Sequence, residues 1–593
     1  MNMNEVHKVF KVLKGRKVLL TFGFINFITF NCFAQHKQFD TIEYRVVEQA
    51  NANIANGAKI NSNPAIADTV KPSRKVDYNT IGTQFSTSYI PESLRPVQLK
   101  GEPLENQEHA YVAAGGGNNN AAYIEGFYNS IRSRDWDYGV HVNHFSSAYI
   151  IQNNENPAFS HNDVNLYGTS YMTDHTLTAN LDYDEHVVHD YGYAPANIPG
   201  ITFNNSNDAS IRTRYNLFDA GLQYVSHYKD SNKIHHDIKV SYYNYSSLSN
   251  LPSQISSTFT NGDTIPYTYK LINAQQDRTI ENNVDINAHL FSYIEKQRID
   301  VKALVQYYNE ANQLGSNHAW NLGINPYFSG EGRTWDAHLG LKAYLDAVNG
   351  GTNIFPDLKV DYHIANNAAI AYAGMDGDKQ YNSYKSLSTT NPFIQDTVNN
   401  QYTRTMYHLF IGLTGSITNN VTYDVNASES QTKNMALFVT DTLEELRNRF
   451  TVVYDNVKTT NIHADISYQM KESIRFILGG DYYNYTPTNQ VAVWYHPTLK
   501  INLLGEYAVT PQLTLKTEIF VVNSQYAPLD VDGVIATKKL PGYPDLNLGA
   551  EYKYSKLIGV FLHLNNLANA AYQQWDNYPT ERFNVLVGVK ITF

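Results

Sequence analysis

The sequence predicts an all-β protein, a large transmembrane antiparallel β-barrel of about 22 strands, and three observations support this fold class. The last stretch of the chain alternates apolar and polar residues up to the final Phe593. Similar alternating segments recur from about residue 108 onwards. The breaks between these segments are alternately short and long, which is typical of barrels with short turns at one membrane face and long loops at the other.

The stretch from Thr580 to Phe593 separates its side chains into two faces. One face carries Phe583, Val585, Val587, Val589, Ile591 and Phe593, and the other carries Arg582, Asn584, Leu586, Gly588, Lys590 and Thr592. A strand of a soluble sandwich also alternates, but it rarely keeps an uninterrupted apolar face up to a terminal aromatic residue. A membrane barrel needs this pattern, because each strand meets lipid on one face and the lumen on the other. We therefore predict that this is the closing strand.

Composition excludes several other classes of protein. The chain has 593 residues with 42% hydrophobic residues, a mean hydropathy of -0.42 and a net charge of -11. It has no long apolar run after the first 35 residues, so a helical membrane protein is excluded, and it has no basic patch for nucleic acid. The 46 tyrosines fit aromatic girdles and loops, with general β-propensity as the alternative.

Residues 1–34 resemble an export signal. A basic region ending at Lys17 precedes an apolar core from Val18 to Phe30, which is too short to span a bilayer comfortably. Cys32-Phe33-Ala34 then forms a plausible cleavage site, and a lipoprotein anchor at Cys32 is the alternative. Cys32 is the single cysteine, so the mature chain is expected to have no disulfide or thiolate metal site.

Residues 35–107 differ in kind from the rest of the chain. Prolines and polar residues interrupt every short apolar run there, so we predict an irregular periplasmic segment. The transmembrane barrel is predicted to occupy residues 108–593. A soluble sandwich of that length would be far larger than a single hydrophobic core supports.

Internal segments follow the same rule as the last strand. From Arg333 to Asp346, Trp335, Leu339 and Leu341 share a face opposite Asp336, His338 and Lys342. The segments beginning at Ile299 and Leu513 also alternate. The short breaks lie at 418–420, 471–472, 510–511 and 555–556, and the long ones near 148–161, 185–210, 248–277, 376–401, 438–449 and 526–541. With the short set facing the periplasm, the count is about 22 strands, within a range of about 18 to 24.

Histidine and acidic groups are candidate metal ligands by residue type, but their spacing predicts structural roles. His186 and His189 lie among acidic residues in a predicted external loop, without a nearby third ligand. His141 and His144 point to opposite faces of one strand, and so do His235 and His236. We therefore name no metal-binding residue.

Glycine and acidic motifs are predicted to be turns. The segment beginning at Asp530 lacks most ligands of a calcium loop, and Asp376-Gly377-Asp378 is interpreted as a polar turn. Gly115 to Gly117 lack the Lys-Ser/Thr of a phosphate loop and are predicted to form a hairpin turn.

Thr442-Leu-Glu-Glu445 matches a helix capping box, with Phe450 continuing a helical spacing, so a short loop helix is predicted. That helix could pack on its own loop, dock a partner or cover the barrel mouth. No Ser, His and acidic set is singled out by spacing, so an enzyme is not predicted. We name no catalytic or cofactor-binding residue, and the sequence does not identify ligand-binding residues.

The last 50 residues carry a recognisable signature. It comprises Pro544 to Tyr552, Phe561 to Leu567, Ala571-Tyr572, Tyr578-Pro579, Arg582-Phe583 and the terminal strand. This signature resembles the closing strands of TonB-dependent receptor barrels, and the region from Gly115 to Ser147 resembles plugless relatives from Bacteroidota-type envelopes. Transporting members of that family carry a plug domain of well over a hundred residues, whereas the segment before the first predicted strand is too short, so no globular plug domain is expected.

These observations imply a barrel in the outer membrane of a Gram-negative bacterium. Its expected partners are outer-membrane lipid, the barrel-assembly machinery acting on the strand that ends at Phe593, and proteins of the outer membrane or periplasm. Two functions stay open. One is a transport or channel component, and the other is a structural or docking subunit of a multi-protein outer-membrane complex.

Overall fold

A computed structural model of the protein describes residues 109–130, 133–151, 157–192, 211–252, 274–294, 297–346, 351–365, 368–442, 447–471, 473–531 and 534–593. The predicted signal and the predicted periplasmic segment 35–107 lie outside these residues. Among the described residues, no helix is both long and apolar enough to cross a membrane.

The described part of the chain contains 26 strands and a short helix, α1 (Tyr384–Thr390). The strands of its first half are β1 (Ala110–Gly117), β2 (Ala122–Asn129), β3 (Trp136–Ser147), β4 (Phe159–Tyr171), β5 (His175–His189), β6 (Arg212–Ser226), β7 (His235–Pro252), β8 (Ala274–Ile294), β9 (Gln297–Asn312), β10 (Gly315–Glu331), β11 (Trp335–Asp346), β12 (Gly351–His363) and β13 (Ile370–Tyr381). Those of its second half are β14 (Tyr402–Thr418), β15 (Val421–Thr440), β16 (Phe450–Met470), β17 (Ile474–Pro487), β18 (Leu499–Thr510), β19 (Leu513–Val522), β20 (Gln525–Val531), β21 (Val534–Leu540), β22 (Tyr543–Lys553), β23 (Ile558–Asn565), β24 (Gln573–Trp575), β25 (Tyr578–Pro579) and β26 (Asn584–Thr592).

Twenty-two of these strands form one antiparallel sheet, and the sheet is closed. Each strand pairs with the next along the ring, and β26 pairs back onto β1, from Tyr111 opposite Thr592 to Gly117 opposite Leu586. The carbonyl of Phe593 accepts a hydrogen bond from the His109 backbone N–H at 2.8 Å. The predicted fold class, strand number and closing strand are confirmed. The pairs β20–β21 and β24–β25 are separate hairpins inserted between barrel strands.

Alternation along each strand produces an apolar outer surface. In β26 the side chains of Val587, Val589 and Ile591 are exposed, whereas Leu586 and Thr592 are buried on the inner side. The same outward belt runs around the ring and includes Leu166, Leu181, Leu222, Val240, Ile286, Ile324, Leu341, Leu358, Ile411, Ile462, Leu478, Leu515, Leu548 and Val560. A barrel that contacts lipid requires such a surface, because hydrocarbon meets every outward position.

The connections differ in length at the two ends of the barrel. The predicted turns at 418–420, 510–511 and 555–556 are all at one end, which also holds Lys471 and the last residue, Phe593. Glu472 of the predicted turn at 471–472 lies outside the described residues. The long connections lie at the other end. Several strands run further into these connections than predicted: β5 extends to His189 and β13 to Tyr381, because their polar residues pair across the sheet.

Closure of the ring depends on a glycine at the seam, which is the junction between β26 and β1. A Cβ atom added to Gly588 would lie 2.1 Å from Cζ of Phe561 and 2.5 Å from the carbonyl oxygen of Ala114 on the facing strand. The carbonyl of Ala114 cannot move away freely, because it belongs to the paired backbone of β1. Overpacking of this kind costs about 1–3 kcal/mol.

We therefore expect Gly588→Val to weaken ring closure and Val587→Leu to be tolerated, since Val587 faces outward and is 48% exposed. Heat-modifiable migration of the refolded protein on gels measures closure. The expected result is a reduced fast-migrating fraction for Gly588→Val alone. Equal fractions for the two variants would show that the seam tolerates a side chain at residue 588.

Candidate functional site

Loops at the long-loop end pack together into a buried apolar cluster, which we call the loop seal. Its members come from barrel strand ends, from the connections around α1, and from both inserted hairpins. They are Val188, Tyr191, Ile211, Tyr215, Tyr245, Tyr384, Leu387, Ile394, Val398, Leu437, Phe438, Phe450, Val452, Val457, Val493, Trp494, Tyr495, Ala527, Leu540, Trp575 and Tyr578. Trp494 and Tyr384 are fully buried. Each large side chain buried in this way contributes about 1.5–3 kcal/mol.

Arg449 links loops from opposite sides of the barrel. Its Nε atom donates to Asp190 at 3.1 Å and its Nη1 atom donates to Asp396 at 3.2 Å. Asp190 directly follows β5, and Arg449 directly precedes β16. These two strands are the fifth and the sixteenth in the ring of 22, so they lie on opposite sides of the barrel. All three charged side chains are nearly completely buried. The bridge therefore spans the barrel mouth.

Neutral donors complete this buried network. The Thr213 hydroxyl donates to Asp190 at 3.0 Å and accepts from Nη2 of Arg449 at 3.2 Å. The Ser247 and Tyr384 hydroxyls both donate to Asp396, at 2.6 and 3.1 Å. Buried charges need such partners because an unpaired charge in an apolar environment is costly.

Helix α1 lies within the loop that follows β13. It begins after Ser383, whose side chain accepts a hydrogen bond from the Ser386 backbone N–H at 3.2 Å, and this N-cap fixes its first turn. Tyr384 and Leu387 enter the loop seal, while the Lys385 backbone N–H donates to Glu281 on β8 at 3.2 Å. The helix is thereby held against the inner wall.

A cavity of about 480 Å³ lies between α1 and the inner wall. Its lining combines aromatic rings with charged and amide groups, contributed by Tyr243, Leu304, Gln306, Tyr308, Tyr344, Asp378, Lys379, Gln380, Tyr381, Ser383, Lys385, Ser386 and Thr389. Nζ of Lys385 lies 4.0 Å from the ring centre of Tyr243, and burial lowers the pKa of this lysine. The cavity can hold a small polar solute against aromatic surfaces.

Histidine–carboxylate pairs recur along the inner wall. His289 contacts Asp300 at 2.6 Å, and Nε2 of His338 lies 3.0 Å from Asp357. Further pairs are His141 with Glu125 and Asp163, His161 with Asp184, His363 with Asp336, His408 with Asp376, and His463 with Asp465 and Asp481. These groups face inward while their sequence neighbours face outward. The lumen is therefore polar and strongly hydrogen-bonded.

The predicted external loop around His186 is corrected by the structure. His186 and His189 are strand residues of β5, not loop residues, and His189 is nearly buried and contacts the carbonyl of Ala158. The adjacent Asp190 is buried beside Arg449. The sequence predicts a loop there because polar residues that face the lumen near a strand end have the same composition as a solvent-exposed loop.

The other histidine pairs lie on opposite faces, as predicted. His141 contacts Glu125 at 3.0 Å on the inner wall, whereas His144 contacts Asn162 at 2.6 Å. His235 stacks on Phe291, and His236 instead approaches His175 with 5.5 Å between ring centres. His235 and His236 both also approach the Tyr228 ring, with 5.8 and 6.0 Å between ring centres. Neither pair belongs to a group of three converging donors among the described residues.

Two predicted loop features are wrong. Asp376-Gly377-Asp378 is a bulge within β13, where Asp376 contacts His408 at 2.8 Å and Asp378 accepts a hydrogen bond from Tyr344. Phe450, predicted to continue a loop helix, is the first residue of β16 and lies in the loop seal. Residues 443–446 of the capping-box segment lie outside the described residues.

The predicted turn around Gly115 to Gly117 is displaced. These glycines close β1 against β26, and the turn follows at 118–121. Val531 pairs with Val534, so the segment after Asp530 connects a hairpin, although Asp532 and Gly533 lie outside the described residues.

The fold and the closed mouth define a class of protein: a 22-stranded transmembrane barrel whose loops meet over the lumen. The same barrel is found in TonB-dependent receptors, as the sequence signature predicted. The siderophore receptor PirA of Acinetobacter baumannii superposes with a TM-score of 0.62 at 10% identity, covering 83% of this chain and 81% of PirA.

Two further solved structures are similar. The ferric-catecholate import receptor Fiu of E. coli K12 has a TM-score of 0.61 at 12% identity, with 82% of each chain covered. The FrpB iron transporter of Neisseria meningitidis has a TM-score of 0.60 at 12% identity, covering 83% of this chain and 82% of FrpB. No family model and no curated protein sequence matches the chain. The likeness is therefore one of fold.

We expect Arg449→Met to open the loop seal, because Asp190 and Asp396 would then be buried without their cation. Removing one partner of a buried ion pair costs about 3–5 kcal/mol. The measurement is the rate of protease nicking at the long-loop end in protein that still migrates as a folded barrel. Lys359→Met is the control, since the Lys359 side chain is 48% exposed in its pair with Asp361 and such a pair contributes about 0–1 kcal/mol. Equal nicking rates would contradict a bridging role for Arg449.

A second expectation concerns Glu581, in the connection before β26. Burial raises the pKa of its carboxyl, although hydrogen bonds from Asn119 and Ser147 oppose the shift. Because its pKa is higher in the folded state, this group contributes stability below its unfolded pKa and loses that contribution as pH rises through the folded pKa. Glu581→Gln should therefore raise the urea midpoint at about pH 7.5 and leave it unchanged at about pH 3.5, below the unfolded value.

The control for this measurement is Glu331→Gln, at the exposed last residue of β10. A Glu581→Gln variant that is less stable than wild type at the higher pH would show that the ionised carboxylate is required there.

Proposed function

We propose that the protein is an outer-membrane barrel of a Gram-negative envelope and acts as a transport component, passing a polar solute through its lumen. The observation that supports this proposal is the polar inner wall with a cavity beneath a loop seal. A barrel that served only as a lipid-embedded anchor would have no need of an inner wall lined with charged groups. The similar solved structures are described as receptors and as an iron transporter.

The charges of the wall indicate which solutes would pass. Carboxylates face the lumen on β5, β7 and β8: Asp182 accepts from Asn180 at 2.8 Å, Asp237 from Gln223 at 2.8 Å, and Asp285 from Gln306 at 2.8 Å. Neutral amides hold these carboxylates in place without cancelling their charge. Acidic side chains that line a pore favour the passage of cations.

The loop seal indicates that the resting state is closed at the long-loop end. In the proposed orientation this end faces the cell exterior, because the shorter turns of such barrels face the periplasm. Opening would require the contacts of Arg449 and α1 to separate. A transport component of this kind is gated by its own loops.

Single-channel conductance in a planar bilayer tests the proposal. We expect small or no steps for wild type, and large steps when residues 384–398 are replaced by a short Gly-Ser linker, because α1 and the loop bearing Asp396 would be removed. The open variant should prefer cations. Asp182→Asn and Asp237→Asn should reduce that preference, whereas Asp230→Asn in the exposed β6–β7 turn should not.

The alternative function is a non-transporting structural or docking subunit of an outer-membrane complex. The burial of the loop seal favours this alternative. Trp494 and Arg449 are fully buried, as side chains in the core of a permanently folded domain are, whereas a gate has to open. A folded linker variant that stays silent in the bilayer would support this alternative and contradict the transport proposal.

A further inference from the structure

A cluster of potential metal ligands lies on the inner wall, apart from the loop seal. Asp424 on β15 and His463 and Asp465 on β16 each offer one donor atom, and these three atoms lie within 4.8 Å of one another. Among the described residues, this is where three such donors converge. His463 is seven residues from the end of β16 at Met470, so the cluster lies within the membrane-spanning part of the barrel.

The strand register places two negatively charged side chains next to each other. Asp424 is directly opposite Asp465 in the β15–β16 ladder. Like charges at directly opposed positions destabilise a sheet. A bound cation between the two carboxylates would remove this repulsion.

The hydrogen bonds of His463 suit a metal ligand. Its Nδ1 atom lies 2.9 Å from Oδ1 of Asp481 on the neighbouring strand β17, and its Nε2 atom lies 3.1 Å from Oδ1 of Asp465. When Nδ1–H donates to Asp481, Nε2 carries a lone pair beside Asp465 and is free to bind a metal ion. Histidine ligands of metals are commonly oriented by a carboxylate in this way.

Asp424 and Asp481 accept hydrogen bonds from neutral donors. The Tyr372 hydroxyl contacts both oxygens of Asp424 at 2.8 and 2.9 Å, and Asn426 donates to the same carboxylate at 3.0 Å. Asn461 donates to Asp481 at 3.2 Å. These contacts fix the positions of the acidic groups, and because the donors are neutral they leave the negative charge in place for a cation.

We propose that Asp424, His463 and Asp465 form a binding site for a divalent transition-metal ion, with Asp481 as a positioning residue. One imidazole nitrogen and two carboxylate oxygens suit ions of the Zn²⁺, Fe²⁺ and Mn²⁺ class. Tetrahedral Zn²⁺ at bond lengths of about 2.0–2.1 Å needs ligands about 3.3 Å apart, which small side-chain rotations supply from the present spacing.

This site differs from the other histidine–carboxylate pairs of the wall. His338 contacts Asp357 through Nε2 at 3.0 Å, and the pair belongs to no group of three converging donors among the described residues. His338→Gln therefore removes an inward histidine of the same kind without touching the site. It serves as the matched control.

Equilibrium binding of Zn²⁺ to the purified full-length protein in detergent, after chelator treatment and without a histidine tag, tests the proposal. We expect His463→Gln to lose one Zn²⁺ per chain relative to wild type, and His338→Gln to retain it. Asp424→Asn and Asp465→Asn should each weaken that binding at least about tenfold, and Asp481→Asn should weaken it by about 10–100-fold. Heat-modifiable migration establishes that each variant is folded.

Co²⁺ provides a second readout, because its visible absorption reports nitrogen and oxygen ligation directly. The spectrum should change in folded His463→Gln and stay unchanged in His338→Gln. Equal Zn²⁺ stoichiometry in wild type and His463→Gln would overturn the proposal, and His463 would then be an imidazolium ion that neutralises its carboxylates. The binding measurement is independent of conductance, so the site and the proposed transport function can fail separately.

Discussion

Closure of the sheet is the constraint on which the rest of this structure depends. Hydrocarbon offers no partner to an exposed backbone N–H or carbonyl, so a sheet in a bilayer is stable only when its first and last strands pair. Here β26 pairs with β1 over seven residue pairs, and the glycines of both strands permit the close approach. Every other feature, from the apolar belt to the polar lumen, follows from the inside and outside that closure creates.

A ring of 22 strands encloses a lumen too wide for the wall side chains to fill, so other groups have to occupy its mouth. The loop seal does this by joining apolar side chains from many separate connections around one buried arginine. The bridge from Asp190 through Arg449 to Asp396 crosses the mouth, so a change at this one residue acts on loops far apart in sequence. Below it, the wall keeps its charged groups in hydrogen-bonded pairs, which leaves room for a solute and for the proposed metal ion.

The tyrosines illustrate how one residue type serves several environments. Some form an outward rim, such as Tyr138 and Tyr552, which are about half exposed and are consistent with the girdle interpretation. Others, such as Tyr215 and Tyr384, are buried in the loop seal, where both hydroxyls donate to the connection between β13 and β14, at Pro392 and Asp396. Amino-acid composition gives the number of tyrosines but does not assign each tyrosine to the outward rim or to the loop seal, because both environments favour an amphipathic aromatic ring.

The sequence by itself determined the fold class, the closing strand, the approximate strand number and the inner and outer faces, because these depend on a period of two that neighbouring residues display directly. Only the tertiary structure decided the loop seal and the cluster at His463. Asp190, Asp396 and Arg449 are separated by up to 259 residues, and Asp424 meets Asp465 only through the strand register. Such contacts leave no local periodicity, since they arise from the order of strands around the ring and from loops that meet across it.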